Sequence, residues 1–171
     1  MHVLLLNWRD LKHPRKGGAE VLTHGIFKRL VDRGHRVTWF ASDFPGALAR
    51  ETMDGIDIVR GGNALTVRAH AYRYYQSLSD VDVVVDEINT IPFFTPLYAR
   101  SPVVAFICQL AREVWFYETP AVVGRIGYTI EPFYLRPYRD VPTMTISESM
   151  REPSPSWESG AKIEGESTTR R

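Results

Sequence analysis

Gly17 and Gly18 stand immediately before an amphipathic stretch in which Ala19, Leu22, Ile26 and Leu30 recur at helical spacing. Glycines there leave the backbone N–H groups of a helix start open to close approach, and the helix adds about half a positive charge. The chemistry so enabled is anion binding, of a phosphate or diphosphate above all. The plainer alternative is a tight turn into the helix. Arg15 and Lys16 come just before the glycines; they are either contacts to phosphate or to an acceptor's anionic group, or a solvated basic loop. Glu20 falls in the first helical turn, where a carboxylate is favourable as a cap, and is assigned to capping rather than reaction.

Asp86, Glu87 and Asn89 form a second group, following the apolar run 81–85. Neighbours in extended chain point apart, so the two carboxylates are not expected to work as a paired acid and base. One is a candidate to orient an acceptor hydroxyl and the other to cap a helix starting near Thr90-Ile91-Pro92, with a structural role as the alternative. Cys108, Gln109 and Arg112 follow the run 102–107. Gln109 and Arg112 are candidate polar lining, while Cys108 by itself reads as a buried, inert thiol.

Absent patterns narrow the field. Neither G-x-G-x-x-G nor G-x-x-x-x-G-K-[ST] occurs in the loop 7–18, and Ala19-Glu20 occupies the place a P-loop gives to Lys-Ser/Thr. A dinucleotide-dependent dehydrogenase and an NTPase are disfavoured. No G-x-S-x-G elbow marks a serine hydrolase. Histidines 2, 13, 24, 35 and 70 never fall at metal-ligand spacing, so no metal is expected, and His13 alone lies in the candidate loop. The single cysteine excludes an internal disulfide and a CxxC pair. With 21 basic against 20 acidic residues, no nucleic-acid partner is expected. No apolar run approaches the roughly 18 residues a membrane span needs, and no export signal is apparent, so a soluble, cytoplasmic protein is expected.

Strands and helices must carry these residues. Val3-Leu4-Leu5-Leu6 is a continuous apolar run, suited to a strand covered on both faces. The loop 7–18 and a helix closed by Arg33-Gly34-His35 follow. Further strands are expected at 37–41, at 56–59 after a turn at Asp54-Gly55, and at 81–85, 102–107 and 143–146, with a helix over 65–78. Strands alternating with helices predict a doubly wound α/β domain over 1–150: a mostly parallel sheet of about six strands, helices on both faces. Ligands of such sheets bind outside the carboxyl ends of the strands, where the glycine pair, Asp86 to Asn89 and Cys108 all fall. Residues 151–171, rich in Ser, Pro and Gly, are expected to form a disordered tail.

The ordered set Asn7-Trp8-Arg9, Pro14 to Glu20, Arg33 to Val37, Asp86-Glu87-Ile88-Asn89 and Thr145-Ile146-Ser147-Glu148-Ser149 resembles the N-terminal, acceptor-side domain of family 4 retaining glycosyltransferases. These are GT-B enzymes built from two Rossmann-like domains. The resemblance implies transfer of a hexose from a nucleoside-diphosphate sugar, a co-substrate rather than a cofactor, to a hydroxyl of a saccharide or lipid-linked acceptor. It implies donor contacts at Gly17, Gly18, Arg15 and Lys16, and an acceptor cleft at Asp86, Glu87, Asn89, Gln109 and Arg112. Cys108 stands where relatives often carry a donor-contacting His, which leaves the catalytic residue unassigned. Ser147 and Ser149 fall near the family's interdomain hinge. The family's donor domain, with its Glu-x₇-Glu pattern, has no counterpart after Met150: Glu158 and Glu166 stand eight apart in the tail. A truncated or frame-shifted sequence from Pro153 is therefore expected, and little activity alone. The interleaved aromatic and Arg residues of 115–139 suggest either a cleft or peripheral contact with the inner face of a membrane, or simple packing on the sheet. Two other readings stay open: a stand-alone binding module for phosphates or sugar phosphates, and a non-catalytic partner of a separate donor-domain chain.

Overall fold

A computed structural model describes residues 1–109 and 132–145. Arg112, the aromatic residues of 115–128, Ser147, Ser149 and the segment 151–171 lie outside the described residues.

The uninterrupted apolar runs become the central strands. β1 (His2–Leu6) is buried at every position, followed by α1 (Gly18–Asp32), β2 (Arg36–Ala41), β3 (Arg50–Met53), β4 (Ile56–Arg60) and α2 (Val67–Gln76). β5 (Val83–Asn89), β6 (Val103–Gln109) and β7 (Thr143–Thr145) complete the sheet, with short 3₁₀ turns at Thr95–Leu97 and Arg136–Tyr138. The order is β3-β4-β2-β1-β5-β6-β7, parallel except between β3 and β4. A parallel α/β sheet with a Rossmann-like strand order thus stands in the chain.

Among the described residues the sheet has seven strands where about six are expected. The addition is β3, which pairs with β4 through Asp54 and Gly55, both at positive φ (49° and 81°). Positive φ at both central residues is the tight hairpin geometry that Asp-Gly favours. β3 itself is polar and alternates between exposed and half-buried positions, so no apolar run announces it. Gly55 is required twice over, because a Cβ there would also lie 2.6 Å from Val31 Cγ1 of α1.

Alternate side chains of β1 enter different cores. Val3 and Leu5 pack with Phe27 of α1, Trp39 and Ile58, whereas Leu4 and Leu6 pack with Phe40 and with Val67, Ala71 and Tyr75 of α2. A third cluster joins Ile88, Ala105 and Ile107 to Tyr138. α1 ends as expected at Gly34 (φ 84°): His35 N–H donates to Leu30 O at 3.1 Å and Gly34 N–H to Val31 O at 2.8 Å. That is the paired closure typical of a left-handed glycine after a helix.

The strand expected to stop at residue 85 runs on to Asn89. Asp86 and Glu87 therefore lie inside β5, flanked by Leu6 of β1 and by Ala105 and Phe106 of β6, rather than in a loop after it. Likewise β6 includes Cys108 and Gln109. Polar side chains hid these strand ends, while backbone pairing between β5 and β6, which runs on to Asn89 and Gln109, carries the strands through.

Candidate functional site

Strand order reverses between β1 and β5, and the carboxyl ends of these two strands open the crevice where such sheets take ligands. The loop 7–17 leaves β1 at this point and delivers Gly17 to the start of α1. Glu20 organises the junction. Its side chain is fully buried; one oxygen accepts Arg9 Nε–H at 2.9 Å and Asn89 Nδ2–H at 3.3 Å, and the other accepts Gly17 N–H at 2.6 Å. The expected cap is thus also a tie between α1, the loop and the end of β5. Arg9 continues the tie, donating from Nη1 to Arg15 O at 2.6 Å and lying 4.3 Å from the centre of the Trp8 ring.

Neither Gly17 nor Gly18 has positive φ. A Cβ at Gly18 would meet no atom within 4 Å, and one at Gly17 would meet only Glu20 Oε2, at 3.7 Å. Neither backbone strain nor internal crowding demands these glycines. What their lack of side chains leaves open is the helix start itself, whose first N–H groups have no partner within the helix. Gly17 N–H is already taken by Glu20, so the open donors begin at Gly18.

Glu87 lies behind this junction, 1% exposed. Cys108 Sγ donates to Glu87 Oε1 at 3.4 Å, while Oε2 has no hydrogen bond; Thr23 Oγ1 and Asn7 Nδ2 are also buried without partners. Burial pushes the Glu87 carboxyl up to about 8, with the nearby Glu20 charge adding to it and Cys108, Thr23 and Asn7 opposing it. It is a neutral acid at pH 7. Burial first, then the neighbouring Glu87, also pushes the Cys108 thiol up. Cys108 is a protonated thiol facing a carboxyl, not a nucleophile.

Asp86 points the other way, as adjacent strand residues must. It is fully buried and accepts Phe93 N–H at 3.0 Å, Thr95 N–H at 3.2 Å, Thr95 Oγ1–H at 2.8 Å and the Tyr138 hydroxyl. It does not line a cleft. Desolvation raises its pKa against those four donors. Asp86 fastens the segment after β5 and the Arg136–Tyr138 turn to the sheet, and Arg68 supports the same segment by donating to Ile91 O at 2.7 Å and Pro92 O at 3.0 Å.

Asn89 joins the site through Glu20, and Gln109 sits opposite it in β6. His13 is buried within the loop, edge-on to Trp8 and Phe44, and its Nδ1 accepts Arg15 N–H at 3.1 Å. Desolvation, then Arg15 and Arg9, lower its pKa, so it is neutral packing. Arg15 is exposed, 5.4 Å from the Trp8 ring centre. Lys16 lines a pocket of about 510 Å³ with Lys12, Phe44, Gly46, Ala47, Leu48 and Glu51, a lining that includes neither Gly17 nor Gly18. Residues 44–48 and Thr23 carried no motif, and only this assembly brings them to a site. Among the described residues, no three His, Cys, Asp or Glu side chains converge as a metal group, and no helix is long and apolar enough to cross a membrane.

No protein-family model and no curated protein matches the chain.

Proposed function

We propose that this chain is the acceptor-side half of a retaining glycosyltransferase, which moves a hexose from a nucleoside-diphosphate sugar to a hydroxyl of a saccharide or lipid-linked acceptor. The observation that carries the reading is the bare helix start at Gly18, beside the strand-order reversal and anchored by Glu20 to the loop after β1 and to the end of β5. A diphosphate there meets oriented N–H donors and the positive end of α1. Arg15, exposed in the loop that leads into it, is a further cation. The two-core alternation of β1 supports a doubly wound arrangement with a helix on each face.

The chain's contribution is positioning and electrostatic stabilisation of the departing diphosphate. Glu87 and Cys108, behind the helix start, are protonated and face each other, so they offer no ready base. In a GT-B enzyme donor binding is shared between two domains, so contacts from the helix start by themselves bind a donor weakly. The same reading places it in the cytoplasm.

Calorimetric titration with nucleoside-diphosphate hexoses tests this. Saturable binding that falls at least tenfold in Gly18→Val is expected, since the added side chain lies over the helix start, where a Cβ meets no protein atom within 4 Å. Absence of nucleoside-diphosphate binding, or nucleoside-diphosphate binding that Gly18→Val leaves unchanged, contradicts it.

A further inference from the structure

The pocket beside Lys16 is a second site on the carboxyl edge of the sheet. It lies between the loop after β1 and the 44–48 segment after β2, and its volume of about 510 Å³ falls within the roughly 300–1,000 Å³ typical of small-molecule sites. Phe44, Ala47 and Leu48 give it an apolar wall, and Leu48 is 63% exposed despite its size.

Its charges are unequal. Among the described residues Glu51 is the only acid in the lining, and both its oxygens are engaged: Oε1 accepts Arg60 Nη1–H at 2.7 Å and Oε2 accepts the Lys12 ammonium. The hydrogen bond from Lys12, then that from Arg60, holds the Glu51 carboxyl below its usual range, so it stays a neutralised anion. Behind it, the buried Arg60 Nε donates to Asp10 Oδ2 at 2.5 Å, and Arg60 Nη2 is left without a partner. Lys12 and Arg60 thus balance Glu51 and Asp10. Lys16 remains, exposed and without a carboxylate partner among the described residues.

We propose that this pocket binds a small organic anion of about hexose size, a phosphate monoester or a carboxylate, with Lys16 as the charge contact and Phe44 and Leu48 against the ligand's less polar face. The assignment is independent of glycosyl transfer and of the helix start at Gly18.

The test is titration of the full chain with a hexose 6-phosphate, a hexuronate and the uncharged hexose. Saturable binding of at least one anionic sugar is expected, at least tenfold tighter than the hexose and weakened by salt. The variant Lys16→Gln should weaken it about tenfold. Ala47→Asp, which adds a carboxylate to the lining, should do the same; Lys16 is exposed and Ala47 half-buried, so the fold tolerates either change. Gly18→Val should leave this binding intact while abolishing any nucleoside-diphosphate binding, so the two sites fail separately. Which anionic sugar binds identifies the group as phosphate or carboxylate. The proposal is overturned if neither binds, if the uncharged hexose binds equally well, if both pocket variants bind normally, or if Gly18→Val removes the binding.

Discussion

Replacing Glu87 with glutamine removes a titrating group from the interior while keeping its shape. In the folded chain Glu87 holds its proton to about pH 8 rather than its ordinary 4.5, chiefly because it is buried. A folded pKa raised above the unfolded value means that the stabilising contribution is complete below about pH 4.5 and is lost progressively as pH rises to about 8. The interval sets a ceiling of about 5 kcal/mol on that loss, at about 1.4 kcal/mol per pH unit. Relaxation and water entry reduce it, so a loss of order 2–4 kcal/mol between pH 5 and 8.5 is expected from this residue. Asp86 is shifted in the same direction, and comparison of wild type with Glu87→Gln cancels its share. The amide can still accept from Cys108, and its N–H₂ can meet the unpartnered Thr23 hydroxyl. Urea unfolding at pH 5, 7 and 8.5 should show the variant gaining on wild type as pH rises, by about 2–4 kcal/mol in total. Parallel profiles across that range would refute the account of a neutral, buried acid.

Asp86→Ala strands the donors of Phe93, Thr95 and Tyr138 inside the protein and should cost about 3–5 kcal/mol, whereas Tyr138→Phe, which removes one donor, should cost about 1–2 kcal/mol by denaturant unfolding. Gly55→Ala forces a side chain into a left-handed residue and against Val31; a loss of at least about 2 kcal/mol and a lower thermal midpoint are expected. The raised pKa and burial of Cys108 predict alkylation by iodoacetamide at pH 8 at least 100-fold slower in the native chain than in urea. Prompt native labelling would show a thiolate that the geometry does not allow.

Much of this architecture is legible in the residues themselves. Apolar runs at 3–6, 37–41 and 103–107 mark buried parallel strands, and Arg33-Gly34-His35 marks the end of α1. β3 escaped because an edge strand needs no apolar face, although Asp54-Gly55 was a hairpin signal pointing at it. The end of β5 escaped for a different reason. Asp86 tolerates a central strand only because Thr95 and Tyr138, up to 52 residues away, supply donors. Glu20 shows both limits at once: its capping role follows from its place in the first turn, but its bond to Asn89 spans 69 residues. His13 gave no sign that it would close the loop's small aromatic core, since one histidine in a polar loop has no periodicity to interpret.

The central claim is that the helix start at Gly18 receives a diphosphate. Amide chemical shifts of the isotopically labelled chain, followed during titration with a nucleoside diphosphate, test it most directly. The largest movements should fall on the amides of Gly18, Ala19 and Glu20, saturate together, and vanish in Gly18→Val. Movements confined to other amides, or none at millimolar ligand, would contradict the assignment of this site.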